Sequence, residues 1–157
     1  MSTTKKTLIF GIGNPYRCDD AVGIKVVQEI AKQIDTSDID VKWGSIDGVA
    51  ILDEVVGYDR VIFVDSVKTG KGKPGDIYKI KHASEGKTGS FTSHGIDFLT
   101  ALRVGENFKL SMPRQIDIFA VEIKDNTSFS EQCTEEVSKS IPELVHLIIA
   151  EIKTQRT

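Results

Sequence analysis

Three acidic residues and one histidine occupy positions from which they could bind a metal ion together. Asp20 lies in the segment that leaves the first apolar run of the chain, and Asp47 follows the second. Asp65 ends the third apolar run, and His94 precedes a predicted helix. Because the carboxyl ends of parallel strands meet at one edge of a sheet, we expect all four side chains there. Oxygen and nitrogen donors from separate loops suit a divalent ion that keeps positions open for a substrate.

Each of these residues also has a simpler structural explanation when it is considered alone. Asp20, like Asp19 before it, sits where the N-cap and first turn of a helix favour carboxylates. Asp65 could form a turn after its strand, and His94 could cap a helix or lie on the surface. The prediction of a site therefore depends on these residues reaching the same edge of the sheet.

Alternating strand and helix patterns are expected to position these side chains. The predicted strands are Thr7–Phe10, Ile39–Ile46, Val61–Val64, Asp76–Lys81 and Gln115–Ile123. The predicted helices are Asp19–Ile34, Ala50–Val56, Gly95–Val104 (capped by Ser93 or His94) and Glu131–Ile152, with Pro142 bending or dividing the last one. Strands that alternate with helices predict an α/β domain whose mostly parallel sheet is covered on both faces. Residues 1–157 contain no repeat or linker, so we expect a single domain.

The composition excludes several classes of function. The net charge is −3, and the 20 lysines and arginines are scattered rather than clustered, which argues against a nucleic-acid partner. No apolar stretch approaches the roughly 20 residues that span a bilayer, so we expect no membrane association. The two cysteines, Cys18 and Cys133, are far apart in sequence and form no paired motif. We therefore expect a cytoplasmic protein.

Two other chemistries are weaker alternatives. The Gly11–Asn14 turn after a strand is typical of phosphate- or nucleotide-binding modules, but Tyr16 stands where a dinucleotide-binding turn has its third glycine. The carboxylates of Asp19 and Asp20 in the same loop would also repel a phosphate. Cys18 lies in that loop too, and a thiol beside a base could act as a nucleophile, although a lone cysteine is more often a packing residue.

The motifs in the chain resemble those of the hydrogenase maturation peptidases. The most specific is Leu8–Gly23, an apolar strand followed by Gly-x-Gly-Asn, two consecutive acids, a small residue and glycine. Val61–Ser66 resembles the family's strand that ends in an acid, and Phe91–Gly95 is similar to its histidine segment. Phe119–Ile123 resembles its later strand with a glutamate, and Ser130–Val137 its entry into the last helix. The motifs follow the family's order along nearly the whole chain.

This resemblance implies a fold and an activity. The fold would be a three-layer αβα sandwich around a mostly parallel five-stranded sheet, with Asp76–Lys81 as the antiparallel edge strand. The activity would be removal of the C-terminal extension of a [NiFe]-hydrogenase large-subunit precursor after nickel insertion. The precursor would be the partner and would supply the nickel, so we expect no tightly bound metal in the free enzyme.

The resemblance also implies roles for particular residues. Asp20, Asp65 and His94 fall on the family's metal-recognising positions, and nickel-assisted catalysis would depend on them. Asp47 matches an acid of a further functional segment and would have a secondary role, although Val49 replaces that segment's usual second glycine. A nickel carrier without hydrolytic activity is the alternative that uses the same ligands.

Overall fold

The computed structural model describes residues 6–35, 37–46, 50–81 and 98–154, which contain five strands and four α-helices. The strands are β1 (Thr7–Ile12), β2 (Ile39–Gly44), β3 (Arg60–Val67), β4 (Ile77–Lys81) and β5 (Gln115–Glu122). The α-helices are α1 (Val22–Gln33), α2 (Ala50–Val55), α3 (Phe98–Asn107) and α4 (Glu135–Thr154), and a short 3-10 helix spans Cys18–Ala21. Among the helices in these ranges, none is both long enough and apolar enough to cross a membrane.

The five strands form one mixed sheet in the order β2-β1-β3-β5-β4. Strands β1, β2, β3 and β5 run parallel, whereas β4 pairs antiparallel with β5 at one edge. The predicted mostly parallel sheet with an antiparallel edge strand is therefore confirmed. The fully buried β3 lies in the centre of the sheet, so residues near its carboxyl end have neighbours on both sides.

Helices cover both faces of this sheet, as the predicted αβα sandwich requires. Alternate residues of a strand point to opposite faces, and β1 shows this directly. Ile9 packs in a cluster with residues of α1 and α4, whereas Leu8 and Phe10 pack in a second cluster with Ile51 and Val55 of α2. The continuous apolar runs of the central strands follow from this burial on two faces.

The start of the first helix differs from the prediction. Cys18–Ala21 form a 3-10 helix, and regular α-helix begins only at Val22, so a helix starting at Asp19 is wrong. Cys18, the first residue of this 3-10 helix, has a φ of 52° in the left-handed region, so regular α-helical geometry is reached only after this turn. The other boundaries shift by a few residues, and Pro142 lies inside α4 without dividing it.

The close approach of α1 to the sheet depends on Gly23. A Cβ atom at this position would lie 2.3 Å from the carbonyl oxygen of Val64 and 2.8 Å from that of Ile12. No side chain fits such a contact, because the neighbouring atoms are backbone of β3 and β1. Gly23 therefore lets the first turn of α1 rest on the two strands, which brings the preceding 3-10 helix to their carboxyl ends.

Candidate functional site

The Asp20 carboxylate connects the β1–α1 loop to β3. Its Oδ2 accepts a hydrogen bond from the backbone N–H of Asn14 at 3.1 Å, and its Oδ1 accepts one from the Ser66 hydroxyl at 2.9 Å. The side chain caps neither the 3-10 helix nor α1, so the explanation of Asp20 as an N-cap is wrong. The residue is only 7% exposed, and its carboxylate is held from two sides.

Ser66 hydrogen-bonds to both Asp20 and Asp65, which we call the acid pair. The backbone N–H of Ser66 donates a hydrogen bond to Asp65 Oδ1 at 2.7 Å, while its hydroxyl donates to Asp20. Asp65 is fully buried and lies within β3, so the explanation of Asp65 as a turn residue is wrong. The structure thus brings together two predicted site residues that are 45 positions apart in sequence.

The other two predicted site residues lie outside the described residues. Asp47 falls in the range 47–49 and His94 in the range 82–97, so their placement and the proposed cap of α3 stay predictions. Within the ranges that the structure covers, no three His, Cys, Asp or Glu side chains group closely enough to hold a metal ion. Of the three predicted metal-binding residues, Asp20 and Asp65 thus lie in the described part of the chain, and their role toward a metal stays a prediction.

Asp19 has a structural role that the sequence did not indicate. Its fully buried carboxylate accepts hydrogen bonds from the backbone N–H groups of Lys124 at 3.0 Å, Asp125 at 2.9 Å and Thr134 at 2.6 Å. The Thr134 hydroxyl donates to it as well. Asp19 thereby ties the loop that bears Asp20 to the end of β5 and to the residue before α4. The two consecutive acids look equivalent in sequence but perform different tasks.

The Cys18 thiol is poorly suited to be a nucleophile. It is 6% exposed, and its Sγ lies 4.0 Å from Asp19 Oδ1. Burial and the negative charge of Asp19 raise the pKa of the thiol above its ordinary value, which disfavours the reactive thiolate. Burial and Asp19 likewise raise the pKa of Cys133 to about 12. Neither thiol supports a cysteine-peptidase mechanism.

Glu122 anchors the turn beyond β3 rather than contributing to the acid pair. This carboxylate at the end of β5 is 1% exposed. It accepts hydrogen bonds from the Thr69 N–H at 2.8 Å, the Thr69 hydroxyl at 2.5 Å and the Tyr78 hydroxyl at 2.8 Å. Burial acts to raise the pKa of Glu122, but these hydrogen bonds from Thr69 and Tyr78 outweigh it and leave the pKa below its ordinary value.

We expect Glu122→Gln to destabilise the protein at neutral pH and progressively less in acid. Only the charged carboxylate can accept from all three donors, and losing one such bond costs about 1–2 kcal/mol. Since the folded pKa lies below the ordinary 4.5, the stabilisation is complete above that pH and disappears as pH falls through the folded pKa. Thermal unfolding from pH 7 to pH 3 measures this. The exposed Glu131 provides the control variant Glu131→Gln; a pH-independent difference between Glu122→Gln and wild type would contradict the assignment.

The geometry of the Gly11–Asn14 turn counts against phosphate binding. The Asn14 N–H, which would face an anion in such a module, donates instead to Asp20. The turn leads into a 3-10 helix with two buried acids rather than directly into the N-terminus of α1. A phosphate here would therefore meet carboxylates instead of unoccupied N–H groups.

The fold and the acid pair define an α/β protein with its candidate site beyond the carboxyl ends of neighbouring parallel strands. The sequence profile of the HycI family, described as hydrogenase maturation protease, matches residues 24–151. The chain belongs to the hydrogenase maturation protease family, and it is a peptidase. The matched range includes Asp65 and His94 but begins after Asp20, so the case for Asp20 rests on its geometry.

Individual relatives agree with this family. The hydrogenase 2 maturation protease of Escherichia coli K12 is 23% identical over 122 residues, which cover 74% of this chain and 72% of the relative. The structure of the E. coli hydrogenase maturating endopeptidase HybD superposes with a TM-score of 0.80 at 17% identity, covering 96% and 93% of the two chains. The structure of a hydrogenase 2 maturation peptidase from a Thaumarchaeota archaeon superposes with a TM-score of 0.72 at 22% identity, covering 94% of this chain and 98% of that one. Both structures support the three-layer fold.

Proposed function

We propose that this peptidase removes the C-terminal extension from the precursor of a [NiFe]-hydrogenase large subunit after nickel has been inserted. The nickel ion belongs to the substrate, and Asp20, Asp65 and His94 recognise it. Asp47 has a secondary role. Membership of the hydrogenase maturation protease family supports this assignment. We expect the reaction to take place in the cytoplasm.

The observation that supports this proposal most directly is that Asp20 and Asp65 both hydrogen-bond to Ser66. Both residues are buried, with 7% and 0% exposure, and a carboxylate in a region with little water interacts strongly with a charge that reaches it. Such a pair favours a cation beside it. Two carboxylates alone form an incomplete coordination shell, which suits an ion that arrives with most of its ligands already in place.

Recognition of a substrate-borne ion would also explain how the bond is cleaved. A nickel ion bound to the precursor can polarise a carbonyl group or activate a water molecule. The chain then needs no nucleophile of its own, in agreement with the buried Cys18 thiol. Asp20, Asp65 and His94 would orient the precursor by completing the coordination of its ion. A precursor without nickel would lack this point of attachment, so cleavage would wait until the metal is inserted.

A nickel carrier would use the same residues but behave differently. It would bind free nickel tightly and leave the precursor intact, whereas the proposed peptidase binds free metal weakly and cuts the loaded precursor. The family assignment favours the peptidase.

We expect the protein to shorten a nickel-loaded precursor and to leave the nickel-free precursor at full length. The physical reason is that two protein carboxylates and one imidazole have no ion to bind when the substrate lacks it. The measurement is incubation of each precursor with the purified protein, followed by mass spectrometry of the large subunit. A precursor whose nickel has been removed with a chelator and then restored is the matched control. Equal cleavage with and without nickel would rule out recognition through the ion.

A further inference from the structure

A pocket lined by two exposed aromatic rings lies beside the loop that bears Asp20. The described residues that line this aromatic pocket, which has a volume of about 310 Å³, are Asn14, Tyr16, Arg17, Thr127 and Phe129. Phe129 is 84% exposed and Tyr16 is 53% exposed. Their rings meet edge to face, with centroids 6.2 Å apart and planes at 80°. Large apolar side chains kept in solvent near a candidate site are typical of binding surfaces.

The two loops that form the pocket are bound to each other by backbone hydrogen bonds. The Ser130 N–H donates to the Tyr16 carbonyl, and the Cys18 N–H donates to the Ser130 carbonyl, both at 2.9 Å. These bonds flank Arg17, which forms a parallel bridge with Ser130. The backbone on either side of the pocket is therefore held in position before any ligand arrives. Such preorganisation lowers the entropy cost of binding.

The aromatic pocket adjoins the Asp20 carboxylate through Asn14. This residue lines the pocket, and its backbone N–H donates to Asp20 Oδ2. A peptide that reached the Asp20 carboxylate would thus pass directly by the rings. The position indicates binding of the same substrate rather than of a separate partner.

The charge of the aromatic pocket is set by Arg17. Among the described residues, no other charged side chain lines it, and the Arg17 guanidinium takes part in no salt bridge with them. A guanidinium presents several planar donors that match a carboxylate. The pocket therefore favours an apolar side chain with an acidic group beside it and disfavours lysine or arginine.

We propose that the aromatic pocket binds a segment of the precursor that carries an apolar side chain next to a carboxylate. The apolar side chain packs against Phe129 and Tyr16, and the carboxylate pairs with Arg17. This inference rests on the proposed function, because it takes the precursor as the occupant. The pocket would hold the polypeptide while the acid pair engages its ion, so that two separate features of the substrate are recognised.

Phe129→Ala tests the packing half of this proposal. Truncating a central aromatic contact weakens binding by more than 1 kcal/mol in typical interfaces, so we expect KM for the nickel-loaded precursor to rise about tenfold. Because Phe129 does not touch the acid pair, kcat should stay near the wild-type value. Phe108 is 74% exposed and does not line the pocket, so Phe108→Ala is the matched control with unchanged KM. Circular dichroism confirms that both variants are folded.

Arg17→Gln and Arg17→Lys test the charged half. We expect KM to rise with Arg17→Gln and to be partly restored with Arg17→Lys, with a weaker salt dependence of KM in the glutamine variant. Suppose that the wild-type enzyme cuts the precursor and that Phe129→Ala and Arg17→Gln both keep the wild-type KM. This result would overturn the pocket proposal and leave the proposed function intact. Failure of the wild-type enzyme to cut a nickel-loaded precursor would instead overturn the proposed function, and the two failures are thereby distinguished.

Discussion

Asp20→Asn is expected to slow cleavage of a nickel-loaded precursor by a factor of about a thousand or more. The substitution keeps the shape of the side chain but removes its charge, and with it an oxygen donor to the ion. Metal-ion catalysis is worth several kcal/mol, and a loss of about 4 kcal/mol corresponds to a thousandfold change in rate. The rate is measured from the mass of the large subunit over time. His94→Ala should abolish cleavage for the same reason.

The fold should survive the Asp20→Asn substitution. An asparagine oxygen can still accept from Ser66, although the bond from the Asn14 N–H is lost, at a cost of about 1 kcal/mol. Asp40→Asn is the matched control, because the Asp40 carboxylate accepts from the Tyr58 hydroxyl near the amino end of β2, away from the site. That variant should cleave at the wild-type rate. A folded Asp20→Asn variant with wild-type activity would remove Asp20 from the mechanism.

Ser66→Ala separates the position of the Asp20 carboxylate from its charge. The alanine variant keeps both acids but loses the hydroxyl that donates to Asp20 Oδ1. Residues that orient a metal ligand typically contribute 10- to 100-fold to activity. We therefore expect the cleavage rate of Ser66→Ala to lie between the rates of wild type and Asp20→Asn. An effect as large as that of Asp20→Asn would indicate that Ser66 does more than position its neighbour.

Asp19→Ala is expected to be the most destabilising single substitution near the site. It removes the carboxylate that accepts from the N–H groups of Lys124, Asp125 and Thr134. An unsatisfied buried donor costs about 1–3 kcal/mol, and water can reach part of this region since Lys124 is exposed. We therefore expect a loss of about 3 kcal/mol, which lowers Tm by roughly 6–12 °C for a chain of this size.

Thermal unfolding followed by circular dichroism measures this loss. Asp35 is the matched control. This exposed carboxylate accepts from the Ser37 N–H, and Asp35→Ala should change stability by less than about 0.5 kcal/mol. Asp19→Asn should fall between wild type and Asp19→Ala, since its amide keeps one acceptor oxygen. A Tm for Asp19→Ala equal to that of the control would show that the three N–H groups find other acceptors.

These expectations assign opposite roles to two consecutive acids. Asp19 faces the end of β5 and the start of α4, where its hydrogen bonds hold the loop in place. Asp20 faces Ser66 on β3, the residue whose backbone N–H donates to Asp65. The loop can present one carboxylate to a substrate because the other fixes its backbone. Substitution of Asp19 should therefore mainly reduce stability, and substitution of Asp20 should mainly reduce activity.

The sequence by itself determined the fold class, because the information is local. A continuous apolar run such as β3 indicates a strand that is buried on both faces. The helical repeat of apolar residues in α1 indicates a helix that is buried on one face. The polar, antiparallel edge strand β4 followed from the family resemblance and is confirmed. Helix boundaries were less accurate, because the left-handed φ of Cys18 depends on contacts with distant residues.

Only the tertiary structure decided how the acids divide their tasks. The partners of Asp19 lie 105 to 115 positions away, and Ser66 lies 46 positions from Asp20. No local pattern records hydrogen bonds over such separations. The sequence therefore placed both acids at a helix start and predicted a metal-binding role for Asp20, but it gave no partner for Asp19. The parallel pairing of β1 with β3 determined that Asp20 bonds to Ser66, the residue after Asp65, because only folding brings the ends of these strands together.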